Sequence, residues 1–141
     1  MKLEITLVVA AAAVLLNLWL SIRVGRVRLA EKVFVGDGGN EAVIRRMRAH
    51  ANFIENAPFF LVLLAVIELA SGSSIWLWGV SLLFVIARIA HAFGMDRDSK
   101  LRPFGVMMTM LILLGLALYA LFIAYSGTVF TGTETTTSIA A

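Results

Sequence analysis

Residues 104–125 have the sequence FGVMMTMLILLGLALYALFIAY, in which no side chain is charged. A stretch of that length and polarity is what an α-helix needs to cross the ~30 Å hydrocarbon core of a bilayer. Three more apolar runs precede it, at about residues 3–22, 53–70 and 75–93. The sequence therefore predicts an all-α fold, a four-helix transmembrane bundle that forms a single domain over residues 1–141.

The overall composition supports a membrane protein. Hydrophobic residues make up 60% of the chain, charged residues make up 15%, and the mean hydropathy is +0.92. Four spans of about 20 residues use more than half of the chain and leave no room for a separate soluble domain. The absence of cysteine excludes disulfides, thiolate metal ligands and a cysteine nucleophile, and we expect no metal site. We expect the polar, Thr-rich tail at 126–141 to be frayed.

The first apolar run, residues 3–22, shares one feature with a secretory signal, because Lys2 precedes it. It lacks a small-residue cleavage site at its end and is followed at once by Arg23, Arg26 and Arg28. Basic residues directly after an apolar run keep that end of the helix in the cytoplasm. We interpret the run as a retained helix.

The basic residues predict the orientation of the bundle. Seven of them lie between residues 23 and 48 and three between 97 and 102, whereas none lies in the turn at 71–74 or after residue 125. This distribution predicts that both termini lie outside, on the side of the membrane away from the cytoplasm. It also disfavours nucleic-acid binding as the explanation of the high isoelectric point. Five basic residues need no other role than orientation on this interpretation: Arg23, Arg26, Arg46, Arg97 and Lys100.

The second helix is expected to begin near Asn40, after the flexible turn at residues 36–39, and to carry a polar stripe. At 100° per residue, the side chains of this stripe fall within about 80° of one another. The members of the stripe are Arg45, Arg48, Asn52 and Glu55. Because unpaired polar groups are costly at membrane depth, Glu55 needs a partner. Arg88 on the third helix lies at a similar depth, and we predict that the two pair.

Further polar groups are expected at the same end of the bundle. His91 follows Arg88 by three positions and so shares its helix face. Arg102 stands just before Pro103, a residue suited to the first turn of the fourth helix. Helix N-termini and guanidinium groups together favour anions, so the sequence predicts a site for an acidic small molecule or cofactor. The alternative is that these polar groups only tie the helices together through buried hydrogen bonds.

Residues 48–59, RAHANFIENAPF, resemble the signature of the MAPEG family, the membrane-associated proteins in eicosanoid and glutathione metabolism. Other resemblances fall at the end of the first helix, in the Gly-Asp-Gly-Gly loop, on the third helix and before the fourth. These segments are residues 27–29, 36–39 and 88–91, together with Arg102. The loop and the short turn at 71–74 are most similar to the bacterial inner-membrane branch of the family.

The resemblance implies a homotrimer in a bacterial inner membrane, with glutathione as cosubstrate bound between subunits near the cytoplasmic face. It implies a transferase or peroxidase that acts on lipophilic small molecules arriving through the membrane lipid. By resemblance, Arg102 activates the thiol and Arg88 pairs with the glutamate of the second helix. The positions that match glutathione-contacting residues are Arg28, Arg48, Asn52, Glu55 and His91.

The chain departs from the family pattern at three positions. Ala51 stands where many members have arginine, Met95 where a tyrosine contacts the ligand, and no serine follows Arg102. These departures keep open a second hypothesis, a non-catalytic lipid-binding or scaffold protein of the same fold. A transporter or channel is disfavoured, because no span carries a polar stripe from one membrane face to the other.

Overall fold

The computed structural model describes residues 2–97 and 99–139, with side chains as far as residue 127. Its four helices are α1 (Glu4–Glu31), α2 (Glu41–Ser71), α3 (Ile75–Arg97) and α4 (Leu101–Ile139). Each contains a stretch long enough and apolar enough to cross a membrane; in α4 this part is Leu101–Gly127. The predicted all-α, four-span fold is confirmed.

The helices extend beyond the predicted spans because arginine, lysine and glutamate end an apolar run without breaking a helix. The span predicted at 3–22 belongs to a helix that continues to Glu31. The tail that we expected to be frayed is helical as far as Ile139, so that prediction was wrong for its backbone. The last two residues of the tail lie outside the described part.

The predicted start of α2 is confirmed in detail. α1 ends at Glu31, the next residue Lys32 adopts a left-handed conformation, and the chain then turns through three glycines with positive φ at positions 36, 38 and 39. The side chain of Asn40 caps α2 by accepting a hydrogen bond from the backbone N–H of Val43 at 3.1 Å. Asn and Gly are the residues that such a turn and cap require.

The helices pack as two close pairs, α1 with α2 and α3 with α4. The rings of Phe60 on α2 and Phe84 on α3 stack with centroids 3.9 Å apart and join the two pairs at mid-membrane depth. Large apolar side chains such as Leu15, Val62 and Leu118 are more than half exposed and form the outer surface of the single chain. Such an outer surface is normal for a protein that lies in lipid.

Two glycines allow the close approach of α3 and α4. A Cβ atom on Gly105 would lie 2.6 Å from the backbone oxygen of Ala87 and 2.6 Å from the Cβ of His91. A Cβ atom on Gly94 would lie 2.1 Å from the backbone nitrogen of Arg102. Both contacts involve atoms that cannot move aside easily, so the turn from α3 into α4 depends on glycine at these two positions.

We therefore predict that Gly105→Ala lowers the stability of the bundle by about 1–3 kcal/mol, because overpacking forces the two helices apart. The matched control is Gly115→Ala on the same helix, where an added Cβ meets no atom within 4 Å among the described residues. The measurement is thermal unfolding of both variants in detergent. Equal midpoints for the two variants would contradict the close packing described here.

A buried carboxylate holds the opposite end of the bundle together. Glu68 near the end of α2 is 1% exposed, and its oxygens accept hydrogen bonds from the backbone N–H groups of Ile5 and Thr6, both at 2.9 Å. The hydroxyl groups of Thr6 and Ser73 each donate to the same carboxylate at 2.7 Å. Glu68 thus satisfies the free N–H groups of the first turn of α1 from another helix, a role that we did not predict.

Glu68→Ala should destabilise the protein by at least about 2 kcal/mol, because it leaves several donors buried without an acceptor. Glu4→Ala is the control, since Glu4 is exposed and makes only a surface ion pair with Lys2 at 3.6 Å. Thermal unfolding in detergent should show a clear loss for the first variant and little change for the second. A small effect of Glu68→Ala would mean that water reaches this carboxylate.

Candidate functional site

The candidate site lies at the end of the bundle where α1 ends, α2 begins and α3 turns into α4; we call it the basic end. Arg88 on α3 is 3% exposed there, and its Nη1 donates to the side-chain oxygen of Asn52 on α2 at 2.8 Å. Its Nε and Nη2 atoms are buried without a hydrogen-bond partner among the described residues. A buried guanidinium with a single neutral acceptor carries uncompensated positive charge.

The predicted pair between Arg88 and Glu55 does not form within the chain, so that prediction was wrong for the monomer. Glu55 follows Asn52 by three positions and points about 60° further round α2, away from α3. Its side chain is exposed on the outside of the bundle. The inner position opposite Arg88 is taken by Asn52, and the amide of Asn56 donates to the Asn52 backbone oxygen at 2.7 Å.

Arg48 and Glu55 lie on one outward face of α2. Within residues 2–97 and 99–127, neither makes a hydrogen bond or an ion pair. The continuation of this face toward the other end of the bundle is apolar and exposed, as Phe59, Val62 and Val66 show. Because an ionised carboxylate facing lipid is costly, the part of the face that contains Glu55 needs a covering other than lipid.

His91 and Arg102 meet where α3 and α4 converge. The Nδ1 atom of His91 lies 3.3 Å from the backbone oxygen of Arg102, and His91 is 4% exposed. The side chain of Arg102 is exposed and lines an open cleft of about 690 Å³. Pro103 is the third residue of α4, where a missing N–H costs no helical hydrogen bond. The other residues that line the cleft are Ser99, Lys100, Val106 and Met107.

Arg28 is placed apart from these groups, whereas Arg45 donates to the backbone oxygen of Met95 on α3 at 3.3 Å. Arg28 donates to the backbone oxygen of Val33 and to the sulfur of Met47, both at 3.3 Å, on the α1 side of α2. Arg45 forms an ion pair with Glu41 at 2.6 Å. The structure therefore brings Asn52, Arg88, His91 and Arg102 into one connected row across α2, α3 and α4, with Arg48 and Glu55 beside it and Arg28 outside it.

The role of one acidic residue at the basic end was not predicted from the sequence. Asp96 forms ion pairs with Arg23 of α1 and with Arg46 of α2, the latter at 2.6 Å. Arg23 and Arg46 thus have a structural role beyond orientation. The signal was present in the sequence, because Asp96 is an acidic residue in an otherwise basic segment. A second missed contact joins His50 and Asn17, whose side-chain atoms Nε2 and Oδ1 lie 2.8 Å apart.

These features define an integral membrane protein of four helices that carries a cationic, polar site at one end. The MAPEG family profile matches residues 6–122, and the chain belongs to this family. The chain is similar to the inner membrane protein YecN of Escherichia coli K12, with 30% identity over 86 residues. The match covers 60% of this chain and 65% of that relative, which is less than two thirds of its length. YecN of Escherichia coli O6:H1 matches equally well.

We predict that Asn52→Ala destabilises the protein by about 1.5–3 kcal/mol even without ligand, because it removes the acceptor of a buried guanidinium. Arg48→Gln is the matched control on the same helix and should leave the stability unchanged, since Arg48 is exposed and makes no hydrogen bond or ion pair within the described chain. Thermal unfolding in detergent checks both. If both variants unfold like the unaltered protein, Arg88 has another acceptor.

Proposed function

We propose that this protein is a membrane-bound glutathione-dependent transferase or peroxidase that acts on lipophilic electrophiles. The proposal includes an inner-membrane location, like that named for YecN, with both termini periplasmic and the basic end in the cytoplasm. Glutathione is then available on the side where the site lies, and the substrate reaches it through the lipid.

The observation that carries the proposal is the pair of opposite charges on one face of α2 that have no partner within the described part of the chain. Arg48 and Glu55 are two helical turns apart and both are exposed. Glutathione has two carboxylates and one ammonium group, so it offers the complement of both charges. Asn52 adds an orienting donor: because Arg88 occupies its side-chain oxygen, its amide N–H groups are directed elsewhere.

The same face supports assembly as a homotrimer. A single chain leaves Glu55 exposed at membrane depth, whereas a second copy packed on α2 covers it. Arg28 lies on the other side of α2, next to Met47, and among the described residues it makes no hydrogen bond or ion pair with Asn52 or Arg88 of its own chain. We propose that the Arg28 that completes each site comes from the partner subunit, so the site is incomplete in one copy.

Arg102 is the proposed thiol-activating residue. A thiol with a pKa near ~8.5 is mostly protonated at neutral pH, and a nearby guanidinium at a helix N-terminus favours the thiolate. In conjugation, the thiolate sulfur bonds to the electrophilic carbon while the leaving group departs with its electron pair. In peroxide reduction, the sulfur attacks one peroxide oxygen, the O–O bond breaks to give an alcohol, and a second glutathione converts the sulfenic acid to disulfide and water.

The proposal is tested by calorimetric titration of glutathione into the detergent-purified protein, with the ultraviolet absorbance of the thiolate followed in parallel. We expect saturable binding that Arg48→Gln and Glu55→Gln each weaken at least roughly tenfold, because each loses a charged hydrogen bond. Arg97→Gln should bind normally, since Arg97 is exposed at the same end and belongs to no part of the proposed site. Arg102→Gln should retain binding but lose the thiolate absorbance.

No saturable binding by a folded trimer would refute the proposal. Particle mass in detergent decides the oligomeric state separately, and a folded monomer would refute the shared site. The second candidate, a non-catalytic lipid-binding protein, is supported by an apolar groove of about 390 Å³ between α1 and α2 that Phe53 and Pro58 help to line. A trimer that binds no thiol would favour that candidate.

A further inference from the structure

A second cationic cleft lies at the basic end, outside the proposed glutathione site and with no residue in common with it. It is formed where α1, α2 and α3 meet around Asp96, and its volume is about 550 Å³. Arg23 and Arg46 reach Asp96 from two different helices. The remaining lining residues are Trp19, Arg26, Val27 and Phe93.

The cleft carries more positive charge than it can neutralise. Three arginines face one carboxylate, which leaves an excess of two positive charges if all four groups are ionised. The side chain of Arg23 is only 10% exposed, and its Nη1 is buried without an acceptor among the described residues. Arg26 is exposed and makes no hydrogen bond or ion pair within the same residues. A ligand with anionic oxygens would supply the missing acceptors.

The walls of the cleft change from apolar to charged along the membrane normal. Trp19 precedes Arg23 by one helical turn, and their guanidinium-to-ring distance is 4.6 Å. Phe93 precedes Asp96 by about one turn on α3, is 49% exposed and packs against Trp19 with centroids 5.6 Å apart. The rings thus lie on the bilayer side of the cleft and the arginines on the aqueous side.

The depth of the cleft matches the membrane interface. The helical rise of about 1.5 Å per residue places Arg23 roughly 30 Å from the start of α1, which is the thickness of the hydrocarbon core. Arginines at this level meet the phosphate groups of the lipid leaflet, and tryptophan is the side chain that prefers this level. The acyl chains of the same lipid would run along Trp19 and Phe93.

We propose that this cleft binds the phosphate diester of an anionic phospholipid from the surrounding leaflet. The phosphate oxygens accept hydrogen bonds from Arg26 and from the exposed part of Arg46, next to the charge of Arg23. A soluble phosphate has the same oxyanion chemistry, but it gains nothing from the two aromatic walls. This site does not depend on the proposed catalytic function, and the two proposals are tested by separate experiments.

The test uses Trp19 as the reporter. Trp76→Phe and Trp78→Phe remove the other two tryptophans, which lie at the opposite end of the bundle. The full chain is reconstituted in phosphatidylcholine vesicles that contain either brominated phosphatidylglycerol or an equal fraction of brominated phosphatidylcholine. We expect stronger quenching of Trp19 by the anionic lipid, by a factor that corresponds to roughly tenfold preferential binding and falls with salt.

Arg26→Gln should remove most of this preference without unfolding the protein, because Arg26 makes no contact on which the fold depends. Arg97→Gln, an equally charged change at the same end, should leave the preference intact. Equal quenching by the two lipids, or a preference that Arg97→Gln reduces as much as Arg26→Gln, would overturn the site. Loss of the preference in inorganic phosphate, but not in chloride of equal ionic strength, would overturn the assignment to lipid in favour of soluble phosphate.

Discussion

The hydrocarbon core of a bilayer offers no hydrogen-bond partner, so a polar group there must find one within the protein. Three polar contacts between helices of this bundle meet that constraint. Glu68 accepts hydrogen bonds from free backbone N–H groups of α1. The side chains of His50 and Asn17 are hydrogen-bonded to each other, and Arg88 donates to Asn52. The contacts of Glu68 fix α1 against α2 at one end, and those of Arg88 fix α2 against α3 toward the other. Charges that find no partner within the chain are therefore informative about what is bound there.

The basic end contains both charged groups that are paired within the chain and charged groups that are not. Asp96 on α3 forms ion pairs with two arginines. Arg48 and Glu55 on α2 are exposed and have no charged partner among the described residues. Structural polar groups point inward and are held by other helices of the same chain. Arg48 and Glu55 instead point outward, to the surface that a second copy or a ligand can reach. This separation by direction argues against the view that the polar stripe exists only to tie the helices together.

Much of the fold followed from the sequence because it depends on local signals. Apolar length gave the spans, and the glycine turn with Asn40 gave the start of α2 within a residue. The partners of buried charges depend instead on how each helix is rotated about its own axis. The 100° period gives the relative directions of side chains on one helix, but it does not give the side chain that faces the neighbouring helix. Asn52 rather than Glu55 faces Arg88 for that reason. The contacts of Asp96 and Glu68 were not predicted because their partners lie on other helices. Arg23 is 73 residues from Asp96 in the sequence, and Ile5 is 63 residues from Glu68.

The pairing of the helices has a mechanical consequence. Gly94 and Gly105 allow α3 to pack closely against α4, and α1 and α2 form a second close pair. His91 and Arg102 both belong to the α3–α4 pair, whereas Arg48, Asn52 and Glu55 belong to the α1–α2 pair. A shear between the two pairs would therefore change the distance from Arg102, the proposed thiol-activating residue, to the residues proposed to bind glutathione. The ion pairs of Asp96 on α3 with Arg23 on α1 and Arg46 on α2 join the two pairs and would oppose such a shear.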